Sequence, residues 1–448
     1  MGNDNSQKPF KPSSYELVRL VLVPPKHRPL PLEDIFTELE IKEGIGRKTM
    51  RGHIKFLDSA DIMNKMEITG LEKIEATWKS LATGDPEIEI SLQVFRSSFV
   101  PSPDGTKKVV QLDLCSPEHY LQAVKTVDAA YIETTPSEDV EKIFNNTIGK
   151  LGKSIEVHET HNPHTKIIPG MTVLEAMEYL TRVSHSASFK TSLYRFYETR
   201  DGFYFHNVEK LINERRGEAI DFQYGANASD CPQDEKAQTF ITNINFNQTK
   251  DMMTMLKSGN LSNEVKQISI LDKTYDKYPW TLDDSWKETE HLDDSSISIH
   301  TKHFANEYIN PRDVDAPITY TIYDTADFND GGPQLEEAYV SRRLGYVLSL
   351  QQMSATMGVH GNTKLKIGDC VNLEIPATTP FEGRDDEPFV NGVWCITGLT
   401  HRIDDKNYVV EAQIIKDSYN DNAPEGNTWG RQRVRRKSNK QKEKGSGP

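Results

Sequence analysis

The sequence is short of several things, and each absence excludes a class. Its four cysteines, Cys115, Cys231, Cys370 and Cys395, are scattered over 448 residues with no CxxC pair. Spacing excludes a zinc ribbon, and the length makes a disulfide scaffold a poor fit. Cys370 and Cys395 lie in apolar, strand-like contexts and read as buried thiols of a chain folded in a cytoplasm. No stretch approaches the roughly 18 consecutive apolar residues of a spanning helix, so no membrane insertion is expected. Met1–Pro9 is polar, lacks an apolar h-region and carries no Sec signal. Catalytic signatures are missing too: there is no GxSxG, HExxH, P-loop or GxGxxG. The acid pairs Asp283–Asp284, Asp293–Asp294 and Asp404–Asp405 are adjacent in sequence and cannot face one another across a substrate. They read as turns and solvated faces. No catalytic residue, metal ligand or cofactor is assigned.

Hydrophobic residues make up 36% of the chain and charged residues 27%, with a mean hydropathy of −0.62. At about 150 residues per domain the length suits roughly three domains with a large surface share. The net charge of −14 is unevenly spread. Arg431–Lys444 holds eight basic residues, among them Arg431, Arg433, Arg435, Arg436 and Lys437, against the single acid Glu443. That tail carries +7, leaving −21 on the rest. An acidic body repels nucleic acid, so the tail alone is a candidate binder of DNA or of an acidic partner groove.

Along the chain, residues 1–14 read as a flexible arm. Residues 15–116 alternate like strands: Gly52–Leu57 points Ile54 and Phe56 inward, and Asp58–Ser59–Ala60–Asp61 reads as a strand-to-helix cap. The turn signal Asp104–Gly105 separates two further strands. Over 117–236 helical spacing takes over at Glu118–Ala129, Ser137–Leu151 and Thr172–Val183, the last opened by a Thr172/Glu175 capping box. Two strands, Ser192–Glu198 and Gly202–His206, complete an α+β insert. Residues 237–334 form a connecting region and part of the second β domain, and within them Lys273–Ser296, with Trp280 and Trp286, shows no clear periodicity. Residues 335–417 hold a helix from Leu335 to Met353 and then strands at Thr363–Ile375, Gly392–Arg402 and Tyr408–Lys416. Residues 418–448 form the flexible basic tail. The hairpin around Val94–Leu114 has a later analogue around Ile396–Ile415, each with a Val–Val pair after its turn.

His158, His161 and His164 lie within seven residues. They could ligate zinc or iron, or belong to a solvated or interface loop, since an Asn-Pro loop fixes no common face. Trp280 and Trp286 could form a sugar platform, although a structural role suits them better.

Several segments, taken together, resemble the baseplate central hub proteins of T-even-like contractile-tailed phages. Arg51–Met66, with its Phe-x-Asp-Ser turn, is similar to the first hub β domain, and Met255–Gly259 with Ile270–Tyr275 to the middle of those hubs. Leu365–Leu373 has the strand, Gly-Asp, strand of the second β domain. Asn391–Ile403 with Tyr408–Ala412 supplies its closing hairpin. The likeness covers most of residues 15–417, while Lys42–Arg51, read as a charged loop, and the polar insertion Ala377–Phe389 depart from it.

The resemblance implies an α+β, mainly β fold: two small tube-type β-barrel domains with helical and α+β insertions and a flexible C-terminal tail. It implies a homotrimeric structural hub that joins the sixfold tail tube to the threefold central spike and forms part of the DNA ejection channel. The partners would be the spike, the tube protein and the baseplate wedge proteins, with genomic DNA passing an acidic lumen unbound. The place would be the virion tail baseplate, assembled in the host cytoplasm. Asp58, Ser59, Gly368, Asp369, Gly392, His401 and Tyr408 carry over as fold or assembly positions. The alternative is a tail-associated peptidoglycan hydrolase using the histidine loop or the acidic aromatic segment.

Overall fold

Alternating apolar residues build the first part of the chain into strands β1 (Tyr15–Val23), β2 (Leu30–Pro31), β3 (Phe36–Gly44), β4 (Arg51–Asp58), β5 (Lys73–Ser80), β6 (Ile88–Pro101) and β7 (Lys108–Cys115). In β4 the inward Ile54 and Phe56 are fully buried, as the alternation predicts. The computed structural model describes residues 12–419 except 67, 83–84, 102–105, 162, 226–230, 233, 249–250, 270–272, 294, 297–318, 325–337, 382–383 and 387–389. The Asp104–Gly105 turn therefore lies outside the described residues, as do Trp429 and the tail positions Arg431, Arg433, Arg435, Arg436 and Lys437.

These strands follow the order β2-β1-β5-β6-β7-β4-β3 and roll around a core. The seam between β1 and β3 is bridged by the 24–35 connection: Leu32 N–H donates to Leu20 O at 2.8 Å, and Leu20 N–H to the Glu33 carboxylate at 2.9 Å. The insert follows: β8 (Thr126–Thr134), a helix Pro136–Asn146, β9 (Ile155–Val157), β10 (His164–Thr172), a helix Val173–Val183, β11 (Tyr194–Thr199) and β12 (Gly202–Asn207). The helix expected over Glu118–Ala129 is only a helical turn over Pro117–Val124. From Thr126 the chain is strand β8, paired with β10, where Val127 is buried and Ala129 and Tyr131 are half-buried. Three alternating positions outweigh an ambiguous helical spacing there.

The remaining strands are β13 (Ile220–Tyr224), β14 (Phe240–Gln248), β15 (Ser262–Ser269), β16 (Thr274–Thr281), β17 (Ser295–Ser296), β18 (Thr319–Asp324), β19 (Met353–His360), β20 (Cys370–Glu374), β21 (Pro376–Phe381), β22 (Arg384–Asp386), β23 (Gly392–Asp404), β24 (Tyr408–Lys416) and β25 (Ser418–Tyr419). The supposedly aperiodic Lys273–Ser296 contains β16, fixed by its ladder with β15. The order β23-β20-β13-β14-β19-β24 returns to β23, closing a six-stranded barrel. Antiparallel β3–β23 pairing, Gly398↔Gly44 through Asp404↔Glu38, joins this barrel to the rolled sheet in one 13-stranded system. The chain is thus mainly β with an α+β insert and two barrel-like units. Both later-matched valines, Val110 and Val410, face the core of their unit.

Among the described residues three apolar clusters result; a small one packs Leu193, Val208 and Ile212 against Tyr346, Leu350 and the β20–β23 cysteines, and two are larger. One runs through both barrel units, from Leu20 and Phe56 to Trp394 and Ile414. The other belongs to the insert, with Val140, Phe144, Met177, Leu180 and Phe203. Among the described residues no helix is long and apolar enough to cross a membrane.

Candidate functional site

Strand parity puts two polar residues on the core side of the β3–β23 ladder. On β3 Leu39 and Ile41 point inward, and Glu43 has the same parity; on β23 Leu399 and Ile403 flank His401. Glu43 and His401 are diagonal neighbours across the ladder, and each is almost fully buried. Arg200, in the turn between β11 and β12, reaches in from the insert. Its backbone N–H donates to Glu43 at 3.0 Å, and its guanidinium lies 3.6 Å from the same carboxylate. The guanidinium also donates to the carbonyls of Thr363 (2.9 Å) and Leu365 (2.5 Å). His401 Nε2 lies 3.2 Å from Glu43 and Nδ1 2.7 Å from Tyr408 Oη. A carboxylate only accepts, so its contact calls for the proton on Nε2, with Nδ1 accepting from Tyr408, while Arg200 Nη1, a donor, lies 3.3 Å from the same Nε2. Trp78 closes the knot edge-on against Tyr408 at 6.2 Å.

Burial alone would raise the Glu43 carboxyl, but the His401 hydrogen bond and the Arg200 charge outweigh it and hold it below the usual range. Burial lowers His401 against the pull of Glu43. The knot therefore holds Glu43 ionised, Arg200 charged and His401 neutral. It ties the rolled sheet, the insert and the closed barrel at one point.

The outer face of the same strands carries an ion-pair ladder. Arg402 donates to Glu40 at 2.8 Å and to Glu411 at 3.3 Å; Lys55 meets Glu38 at 2.7 Å and Lys42 meets Glu40 at 2.5 Å. Three bases here cancel three acids. Glu38, Glu40 and His53 could be drawn as a cation site, but Lys42, Lys55 and Arg402 already supply the counter-charge.

The remaining sequence-derived positions are placed individually. Asp58 is buried, and its carboxylate accepts from the amides of Ala60 (3.1 Å), Ile62 (2.9 Å) and Met63 (3.2 Å), capping the turn Ile62–Lys65; Ser59 is exposed. Gly368 has φ +88°, and a Cβ there would lie 2.6 Å from Leu211. Asp369 pairs with Arg215 at 2.6 Å and accepts from Lys366 N–H at 2.9 Å. Gly392 has φ +109° and packs against the buried ion pair of Lys416 with Asp293. Only His401 and Tyr408 of this set meet in one cluster. Asp293 is thereby no solvated face, because it neutralises a fully buried lysine. Asp404 is a turn residue, accepting from Lys406 and Asn407.

The histidine loop does not gather its rings. His158 turns inward and stacks on His206 at 4.0 Å and 11°, while His161 is exposed and the His164 side chain lies outside the described residues. Glu156, His158 and His206 do approach one another. Parallel stacked rings, however, point their nitrogens along separate planes, and His158 Nδ1 already accepts from Asn207 N–H at 3.1 Å. A tetrahedral ion would need both arrangements undone. Trp280 is buried in the barrel core, and Trp286 lies flat on His291 at 3.4 Å; neither is a sugar platform.

One arrangement resembles a hydrolase relay. Thr289 Oγ1 is 2.7 Å from His291 Nε2, and His291 Nδ1 is 2.7 Å from Asp417. Yet Nε2 also faces the Trp286 carbonyl at 3.1 Å, and Thr289 donates to Ser285 O at 3.3 Å. An imidazole nitrogen turned to a carbonyl is a donor, not a base. The row is a structural tie.

Sequence reading missed Glu43 and Arg200. Glu43 fell in a segment read as a loop, although β3 continues to Gly44. Its parity with Leu39 and Ile41 was the available signal. Arg200, in a short turn, offered none.

No protein-family model matches the chain, and no curated protein matches its sequence. Its fold does have solved counterparts. The chain is similar in fold to the tail protein from Neisseria meningitidis MC58, with a TM-score of 0.53 at 10% identity over 90% of this chain and 97% of that one. It is also similar to the 43 kDa tail protein of prophage MuSo2 from Shewanella oneidensis, with a TM-score of 0.52 at 11% identity over 91% and 100%. At such identity the likeness is one of fold, and on that level the hub-like architecture implied by the sequence holds.

Proposed function

We propose that this chain is a non-enzymatic structural hub of a phage tail baseplate. Three copies form a trimer in which each subunit contributes two barrel units, so that six similar units face the sixfold tail tube while the threefold axis receives the central spike. The observation that carries this reading is the β3–β23 ladder with its Glu43–Arg200–His401–Tyr408 knot. It fixes two barrel units side by side in one sheet, as a symmetry adaptor requires. The first unit corresponds to residues 15–116 and the second to 335–417 together with β13 and β14; the rest of 117–236 is the insert and the rest of 237–334 the connection. Wedge proteins and the tube protein are the other partners, and the basic tail with Arg431, Arg433, Arg435, Arg436 and Lys437 is a partner-binding arm. The charge-cancelled outer face of the junction offers a passing polyanion no net positive field, which suits DNA transit without binding. The protein resides in the virion tail after assembly in the host cytoplasm.

Native mass spectrometry of the purified chain, with and without the spike protein, tests this. A trimer, or a monomer that trimerises on adding spike, supports the reading. A monomer or dimer indifferent to spike overturns it, and a clearing band from this chain alone on peptidoglycan zymography reverses the ranking in favour of a hydrolase.

A further inference from the structure

Cys370 on β20 and Cys395 on β23 are direct cross-strand partners. The neighbouring pair carries the ladder bond, Ile396 N–H to Asp369 O at 2.9 Å. In an antiparallel ladder bonded and non-bonded pairs alternate, so the cysteines occupy a non-hydrogen-bonded pair, with Cα atoms about 4.5 Å apart and side chains close. The usual disulfide range is roughly 4.4–6.8 Å. The Cys395 thiol donates only to the backbone carbonyls of Gly368 (4.0 Å) and Ile396 (3.9 Å) among the hydrogen bonds of the described residues. Both are free and buried, on the outer face of the barrel wall beneath Leu193, Val208, Ile212, Leu292, Tyr346 and Leu350.

We propose that Cys370 and Cys395 are an oxidisable pair that closes to a cross-strand disulfide when the chain meets a small dialkyl disulfide. One cysteine thiolate attacks the reagent and expels one thiolate, giving a mixed disulfide. The second cysteine sulfur attacks the protein sulfur of that adduct and expels the other. The two protons released by the cysteines end on the two reagent thiols, so the pair is oxidised by two electrons and the reagent reduced by two. The bond staples β23, which carries the junction with β3, to its barrel neighbour β20. The apolar cover makes closure slow in the native state, and the adjacent Cys370 thiol together with burial raises the Cys395 thiol. Opening of the segments above the pair then sets the rate. This pairing is independent of how the chain assembles.

The test incubates the full chain with oxidised glutathione in two arms, native and during refolding from denaturant. Thiols titrated after denaturation are expected to fall from the four of the sequence to two. Peptide mapping is expected to recover residues 370 and 395 cross-linked, and dithiothreitol to restore both. The native arm should react more slowly than the refolding arm. A Cys115→Ser/Cys231→Ser variant should give the same link, and Cys370→Ser should abolish it. Recovery of both cysteines as free thiols, or as separate glutathione adducts, in both arms of the unmutated chain overturns the proposal.

Discussion

The two barrel units and the α+β insert are held together by different means, and the contrast defines how the molecule comes apart. The barrel units share one sheet and one apolar core. Tyr197 and Leu211 of the insert also reach into that core. The insert has its own core, and its ties to the barrels include polar ones: Arg200 at the junction, and Glu198, which accepts from Met50 N–H at 2.8 Å and Ser116 at 2.5 Å and pairs with Lys153. A shared core makes one cooperative unit, whereas a charged tether between cores makes two coupled ones.

The strongest way to break this contrast is at the tether. Arg200→Ala leaves Glu43 buried with the residue-200 amide and the neutral His401 beside it but no cation. Removing one partner of a buried pair costs about 3–5 kcal/mol. The expected result in calorimetry is a split of the unfolding transition into insert and barrel components. Glu43→Gln added to Arg200→Ala should recover part of the loss, because no buried charge then remains uncompensated. If both variants melt as one transition with an unchanged midpoint, the knot is not what couples the units.

Next in size are the cores themselves. Leu112→Ala in the barrels and Met177→Ala in the insert each remove a fully buried side chain, and each costs about 2–5 kcal/mol. Hydrogen exchange should show Leu112→Ala deprotecting β23 and β24 as well as β4 and β7, while leaving the helix Val173–Val183 protected. Met177→Ala should do the reverse. Spread of either effect into the other core would erase the distinction.

The same contrast appears in what the sequence could and could not convey. Within a unit, alternation and caps suffice: Ile54 and Phe56, the Thr172/Glu175 box and the Val110/Val410 strands were readable because neighbours in sequence decide them. Between units, the decisive contacts join residues far apart in the chain, and Glu43 meets Arg200 and His401 only through strand pairing. His401 and Tyr408 were singled out, but for a family hairpin and not for the carboxylate they face. His158 was read with His161 and His164, its neighbours in the chain, whereas its actual partner is His206, brought alongside by parallel pairing of β9 with β12.

Acid offers a finer separation. Burial, reinforced by His206 and Lys210, pushes His158 down to about 3 from its ordinary 6.5. Burial, with Lys210 and Arg215, pushes His206 to about 4. Glu156 and Tyr197 also face this stack. Both rings are neutral in the fold and protonate readily once it opens. Below pH 6.5 the unfolded chain therefore binds more protons, and stability is lost as pH falls from there towards about 4 and then 3. At about 1.4 kcal/mol per pH unit for each ring, the loss is on the order of 8 kcal/mol across the whole window. Among the described residues the barrel units hold two lowered rings, His360 and His401, against the insert's three, His119, His158 and His206, so the insert's midpoint should fall faster between pH 6.5 and 4. His206→Gln should flatten that slope. Equal slopes for both units would contradict the assignment of these rings.

The smallest expected effect contrasts a cap in each unit. In the insert, the Thr172 capping box satisfies the first turn of the helix Val173–Val183, with the Glu175 carboxylate accepting from Thr172 N–H at 3.1 Å and from its hydroxyl at 2.7 Å. This cap is exposed, so water replaces what Thr172→Ala removes, and the loss should be about 1 kcal/mol. In the barrel unit Asp58 is buried and takes three amides of a four-residue turn. Asp58→Ala strands those donors where water reaches poorly, so its loss should exceed that of Thr172→Ala, at about 1–3 kcal/mol. Since Asp58 ends β4 in the shared core, its effect should appear in the barrel transition, and that of Thr172 in the insert transition alone. Equal losses from the two caps, read as shifts in denaturant midpoint at constant slope, would mean that cap burial does not set the difference.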